Sequence, residues 1–258
     1  MTSGKTARKQ RRTPTPPPVR STGARRASPK VLAAGAAVIA VAAVGAALAF
    51  ALTGGSSSSA TPTTSSTLPD AGSAVAMFKG IPQHGNVLGK SNAPVTMVEY
   101  IDLQCPFCRV FETDVMPRIV PQFVKTGKVR VIARPIAFIG SDSVRGRLAA
   151  LAAAQQNHFF DFTQLVSFNQ GSENSGWLSD DFVRSAFSSI PGLDVAAAEK
   201  ARIGSAVSTE GDRFEAQATA DHVTETPTVL VGKTGGKLTE VVSLDVANLS
   251  AAIRQAGG

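Results

Sequence analysis

The sequence predicts an α/β sandwich carrying an inserted helical domain, held outside the cytoplasm behind a single transmembrane helix. Three observations carry this reading. An uncharged apolar stretch of 22 residues, Val31 to Leu52, follows a basic tail. Strand-like runs at 95–101, 128–134 and 228–231 bracket a helix-rich middle. The only two cysteines, Cys105 and Cys108, stand three apart just after the first of those runs.

Residues 1–30 hold nine basic side chains and no acid, which leaves 17 basic against 19 acidic residues in 31–258. The chain's net charge of +7 therefore belongs to the tail. Pro14, Pro16, Pro17 and Pro18 stand among small polar residues with almost nothing to bury, the composition of a disordered segment. A basic tail suits nucleic acid or a membrane surface. The apolar stretch that follows decides for the membrane, and no nucleic-acid partner is expected. As a helix, 31–52 spans roughly 33 Å, enough for a hydrocarbon core of about 30 Å. A buried core helix is a poor alternative, since such a helix rarely runs this far without a polar face. Secretory signal cores are shorter, about 7–15 residues. An uncleaved anchor is thus preferred, although Ala47-Leu48-Ala49 and Ala49-Phe50-Ala51 leave a cleaved signal open. The positive-inside bias keeps the tail cytoplasmic and places the rest on the far side.

Residues 53–74, rich in Ser, Thr and Gly, read as a flexible linker with a reach of about 25 Å. The folded domain is then 75–258, long enough to bury a core without disulfide staples. Val95 to Ile101 is β-rich and mostly apolar, as a central strand covered on both faces would be. From Pro106, the residues Phe111, Val115, Ile119 and Phe123 recur every four positions and mark one helix face, with kinks expected at Pro117 and Pro121. Lys128 to Arg134 alternates as a second strand. Val144, Leu148, Leu151 and Ala152 fit one face of a further helix, and 158–168, 178–187 and 205–220 read as helices too. Thr228 to Val231 is a strand, Gly235-Gly236 a hairpin turn, Leu238 to Val242 the returning strand, and 245–255 a closing helix. The helical insert covers about 140–222.

Cys105-Pro106-Phe107-Cys108 carries the chemistry. Thiols at i and i+3 on a first helical turn lie within bridging distance. The helix N-terminus offers unpaired N–H groups and a positive dipole end, which favour a thiolate. Cys105 is expected to be the more exposed nucleophile and Cys108 the buried partner that resolves a mixed disulfide. Pro106 suits the first turn. Three alternatives stay open. A static disulfide closing so short a loop would stabilise little. Half a zinc site needs further ligands, and His84, His158 and His222 have no suitable spacing, so no metal is expected. Two inert core thiols would sit oddly on a strand-to-helix turn.

On Val95–Cys108 (VTMVEYIDLQCPFC), the helical insertion and Thr226–Gly232 (TPTVLVG), residues 85–258 resemble the DsbA-like branch of the thioredoxin superfamily. That resemblance implies a thioredoxin-like fold with a helical insert and an enzyme that exchanges disulfides without a cofactor. It implies a cis bond before Pro227, with the Thr226 backbone facing the cysteines and free to pair with an extended substrate. It implies that Glu99 is a buried acid exchanging protons with Cys108; on residues alone, a carboxylate on a solvated face is equally open. Asp102 reads as a turn residue. Phe107 stands where the best-known member has His, so a less acidic Cys105 is expected, and Phe107 could contact unfolded substrates. The partners implied are exported proteins with cysteines and a membrane redox partner that resets the site. An oxidant is the favoured direction. A reductase or isomerase using the same site, and a non-catalytic peptide-binding module with a structural disulfide, are the alternatives.

Overall fold

The computed structural model describes residues 67–257. The basic tail, the apolar stretch 31–52 and the linker up to residue 66 lie outside the described residues. Among the described residues no helix is long and apolar enough to cross a membrane.

The fold begins earlier than the sequence reading has it. Helix α1 (Ala71–Phe78) starts inside the stretch assigned to the linker. Ala71, Ala74 and Phe78 form its buried stripe, and Phe78 meets the Phe160 ring at 5.8 Å. Just before it, the Leu68 N–H donates to Ser189 Oγ at 2.8 Å. A stripe of alanines gives a weak sequence signal beside Ser- and Gly-rich neighbours, which is why this helix reads as linker.

Six strands form one mixed sheet: β1 (Gln83–His84), β2 (Val87–Leu88), β3 (Val95–Ile101), β4 (Val129–Pro135), β5 (Thr228–Lys233) and β6 (Thr239–Glu240). Their order across the sheet is β1-β2-β4-β3-β5-β6. The first two form a hairpin over Gly85-Asn86, with Gly85 at a positive φ of 60° that such a turn favours. This hairpin is not evident from hydropathy, since β1 is the polar pair Gln83-His84; the Gly85-Asn86 dipeptide is its one local signal. Strand β3 runs parallel to β4 and antiparallel to β5, and all seven of its residues are buried. It is the central strand that its apolar run predicts. The returning strand β6 is only two residues long, shorter than Leu238 to Val242.

Alternation along β3 divides the core. Val95, Met97 and Ile101 pack with the residues behind the cysteines, while Val98 and Tyr100 join Leu151, Val207 and Phe214 on the opposite face. Glu99 shares the parity of the first set, and so belongs to the face that the cysteine-bearing helix covers.

That helix, α2, runs through Pro106–Val110, Phe111–Val115, Met116–Ile119 and Val120–Val124. The second and fourth stretches are π-helical: the Met116 N–H reaches Phe111 O, and Lys125 N–H reaches Val120 O at 2.9 Å. Proline removes an N–H and crowds the preceding turn, and a wider turn is one way to accommodate it. The distortion expected at Pro117 and Pro121 thus takes the form of π turns. The apolar stripe itself is as read, with Phe111, Val115, Ile119 and Phe123 all buried.

The insert comprises α3 (Ser141–Ala154), α4 (Phe159–Phe168), α5 (Asp180–Ser188), α6 (Val195–Arg202) and α7 (Ser205–Ala220). Helix α6 escaped the sequence reading, since Ala198 is its only fully buried residue. In α3 the expected stripe holds in part: Leu151 and Ala152 are buried, but Val144 is exposed, and Gly146, Ala149, Ala150 and Ala153 are buried as well. The neighbours approach through small residues, so a hydropathy stripe misplaces the contact face. Helix α8 (Val246–Gln255), capped by Asp245 accepting from Asn248 N–H, closes the chain with Leu249 and Ile253 in the core.

Candidate active site

Cys105 ends the loop after β3 and is the N-cap of α2, with Pro106 next in the first turn. Its carbonyl accepts the first helical bond from Arg109 N–H at 3.0 Å. The Cys105 thiol donates to the Thr226 carbonyl at 3.2 Å, across 121 positions of sequence. The Thr226–Pro227 bond is cis. The end of the third strand and the start of the fifth thus bring together Cys105, Cys108, Thr226 and Pro227.

The order of exposure is as expected, but the contrast at the surface is slight: Cys105 is 5% exposed and Cys108 3%. The larger difference lies in depth, with Cys105 half-buried and Cys108 fully enclosed. The hydrogen bond from Cys108 is the largest effect on Cys105, joined by the Thr226 side chain and by the backbone N–H groups of Cys108 and Phe107. Against the opposing effect of burial, these bring its thiol down to about 6. Burial pushes Cys108 well above the ordinary thiol range, and its hydrogen bond to Cys105 and the charge there push the same way. The Asp102 N–H, 3.4 Å from Cys108 Sγ, works in the other direction. A strand-to-helix turn therefore produces one readily ionised sulfur and one that resists ionisation.

Glu99 is 1% exposed, which removes the solvated-face reading. Its Oε2 has no hydrogen-bond partner among the described residues. Burial raises its pKa well above the carboxylate range, and a nearby Glu112 charge adds to this. Glu112, one helical turn beyond Cys108, is itself buried, and burial raises it too. Sequence reasoning missed Glu112, whose signal was its spacing of four from an inward-facing cysteine. Phe107 is 74% exposed. It borders a groove of about 360 Å³ with Val110, Val115, Pro227, Val242 and Leu244.

The insert braces this loop. Gln104, fully buried, donates to Ser143 Oγ at 2.9 Å and accepts from Asn174 N–H at 2.7 Å. Gln170 donates to the carbonyls of Leu103 and Cys105. No local motif announces such long-range contacts. Of the histidines, His158 is paired with Asp161 at 2.8 Å. Among the described residues no cluster of three or more His, Cys, Asp or Glu is disposed to hold a metal.

Sheet, helical insert and a C-P-x-C turn opposite a Thr-Pro strand start define a thioredoxin-fold protein of the DsbA-like kind. The family model described as thioredoxin matches residues 83–253, and the chain belongs to that family. It is 36% identical over 115 residues to disulfide bond formation protein D of Bacillus subtilis, covering 43% of this chain and 49% of the relative. The chain thus spans about half the length of the curated relatives it matches. Among solved structures, oxidised BdbD from Bacillus subtilis aligns with a TM-score of 0.60 at 22% identity, covering 68% of this chain and 96% of that one. The α-DsbA1 of Wolbachia pipientis aligns at 0.57 and 19% identity, over 66% and 89% of the two chains.

Proposed function

We propose that this chain is a membrane-anchored, extracytoplasmic thiol–disulfide oxidoreductase that accepts electrons from the cysteines of exported proteins. The observation that carries the reading is the split between the two sulfurs of one helical turn. Cys105, near 6, is ionised at neutral pH once reduced, while Cys108 is held back by burial. A thiolate stabilised in this way is a good leaving group, so the disulfide form is readily attacked and the reduced form is favoured.

In the oxidising direction a substrate thiolate attacks Cys105 Sγ. The Cys105–Cys108 bond breaks, and Cys108 departs with the electron pair and takes a proton, for which Glu99 is the buried donor. A second substrate thiolate then attacks the substrate sulfur of the mixed disulfide and releases Cys105 as thiolate. Two electrons have moved to the cysteine pair, and the substrate has gained a disulfide. Pro106 fixes the start of the helix. Thr226, beside Pro227, offers its backbone to an extended substrate strand. The exposed Phe107 and the apolar groove supply contact for unfolded chains. A membrane redox partner must then reoxidise the pair. Anchoring rests on the 22 uncharged residues at 31–52 behind a wholly basic tail.

A second reading, a reductase or isomerase, is favoured by one observation. Cys105 near 6 lies closer to the value of about 7 found in reducing C-x-x-C sites than to about 3.5 in the strongest oxidants. Phe107 in the dipeptide, unable to donate a hydrogen bond to the thiolate, accounts for the difference. The experiment is to mix the oxidised chain with a reduced two-cysteine peptide. Peptide oxidation is expected from the wild type, with none from Cys105→Ser. Turnover that survives Cys105→Ser would remove the proposed nucleophile.

A further inference from the structure

Asp102 reads in sequence as a turn residue, and its Oδ1 does accept from Gln104 N–H at 2.8 Å. Its other oxygen does something a turn does not need. Oδ2 accepts from the backbone N–H groups of Phe138 at 2.8 Å and Ile139 at 3.0 Å, in the connection from β4 to the insert. The side chain is fully buried. On the opposite side of the same residue, its backbone N–H points at Cys108 Sγ, 3.4 Å away. One residue thus ties the start of the insert to the inner sulfur.

We propose that Asp102 is a positioning residue for Cys108: its carboxylate, fixed by Phe138 and Ile139, holds the 102 peptide so that its N–H steadies the negative charge that this sulfur carries when the active-site disulfide opens. This rests on the oxidoreductase reading above. When a thiolate forms its bond to Cys105 Sγ, the Cys105–Cys108 bond breaks and the electron pair goes to Cys108. That sulfur is negative until a proton reaches it, in a place from which water is excluded. A donor already aimed at it lowers the barrier, because no group has to reorganise as the charge appears. The amide belongs to the backbone, so its aim depends on whatever holds the peptide: Ile136 N–H donates to the Ile101 carbonyl of that same peptide at 2.9 Å, and the Asp102 side chain anchors it from the other side through Phe138 and Ile139. The Cys105 sulfur takes its hydrogen bonds from Cys108, Thr226 and Phe107, and Asp102 meets Cys105 only through its carbonyl, which accepts from Cys105 N–H at 3.0 Å.

The structure provides a control. The segment that Asp102 grips is held on its other side by Glu215, whose Oε1 accepts from Ala137 N–H and from Arg147 Nη1, each at 2.7 Å. Glu215→Gln loosens the same segment without touching the residue beside Cys108. The test measures the rate at which glutathione opens the disulfide of the full oxidised chain. Asp102→Asn should slow it by about tenfold, the scale of one hydrogen bond to a charged atom. Glu215→Gln should leave it unchanged. In a Cys108→Ser background, where the inner sulfur is gone, Asp102→Asn should leave the alkylation of Cys105 and its pH midpoint unchanged. Equal slowing by Asp102→Asn and Glu215→Gln, or no slowing by the former, overturns the proposal. A wild-type chain that glutathione does not reduce defeats the oxidoreductase reading instead. If Asp102→Asn does not fold, the Cys105→Ser chain decides: the Asp102 amide proton must shift as Cys108 titrates, and a constant resonance overturns the assignment.

Discussion

Cys105 and Cys108 lie one helical turn apart, yet they hold their protons very differently. The motif was plain in the sequence, because four residues after a strand contain the whole constellation. Which sulfur ionises was legible only as a rule about helix ends and depth; at the surface the two differ little, 5% against 3% exposed. Hydrogen bonding to Cys105, from Cys108 first and from the Thr226 side chain as well, and burial around Cys108 make the difference, and Thr226 lies too far along the chain for spacing to reveal it. Glu99 was ambiguous because a carboxylate in an apolar run suits an edge strand or a core equally well; the register of β3 between β4 and β5 decides for the core. The pair Glu99 and Glu112 has a measurable consequence. Folding raises the Glu112 pKa from its ordinary 4.5, so the folded chain binds the proton more tightly than the unfolded one. Its contribution is therefore most favourable below 4.5, and stability falls as pH rises towards its folded value of about 8. Glu112→Gln should raise stability by about 1–3 kcal/mol near pH 7.5 and flatten that pH dependence, as read from urea midpoints. An unchanged slope between pH 5 and 8 would mean that the carboxyl is not held neutral.

Elements were legible where hydropathy has a clean period. The four-residue stripe on α2 and the all-buried β3 follow directly from their sequences. Elements built on small residues were not. Helices α1 and α3 pack through Ala and Gly, and the hairpin of β1 and β2 is only two residues on each side. Gly146 shows why. A Cβ there would stand 2.7 Å from Leu178 Cδ2 and 3.1 Å from Leu103 Cβ, so the insert meets the active-site loop at contact distance. Gly146→Ala should cost about 1–3 kcal/mol by overpacking, measured as a lower urea midpoint. Because Leu103 precedes the Gln104-Cys105 turn, it should also slow glutathione attack on the disulfide. A variant as stable as the wild type would show that this junction yields more readily than its spacing implies.

At the scale of the whole chain, charge and chemistry are divided. Thirty residues carry the excess of positive charge, and the domain that carries the cysteines is slightly acidic. Composition alone made that division visible, and the order of strands and helices made the fold visible. The clamp that Gln104, Gln170 and Asp102 make between insert and active-site loop was not, since each bond joins residues tens of positions apart. If residues 31–52 anchor the chain, deleting 1–52 should move it from the membrane to the soluble fraction with its exchange activity intact; a full chain found wholly soluble would contradict anchoring. The central claim is that stabilising the Cys105 thiolate makes the disulfide an electron acceptor, and the most direct measurement is the equilibrium of the cysteine pair in glutathione buffers. The account predicts a potential between about −120 mV and about −200 mV, oxidising but milder than the strongest members of the fold. A value near −270 mV, that of a reductant, would contradict it.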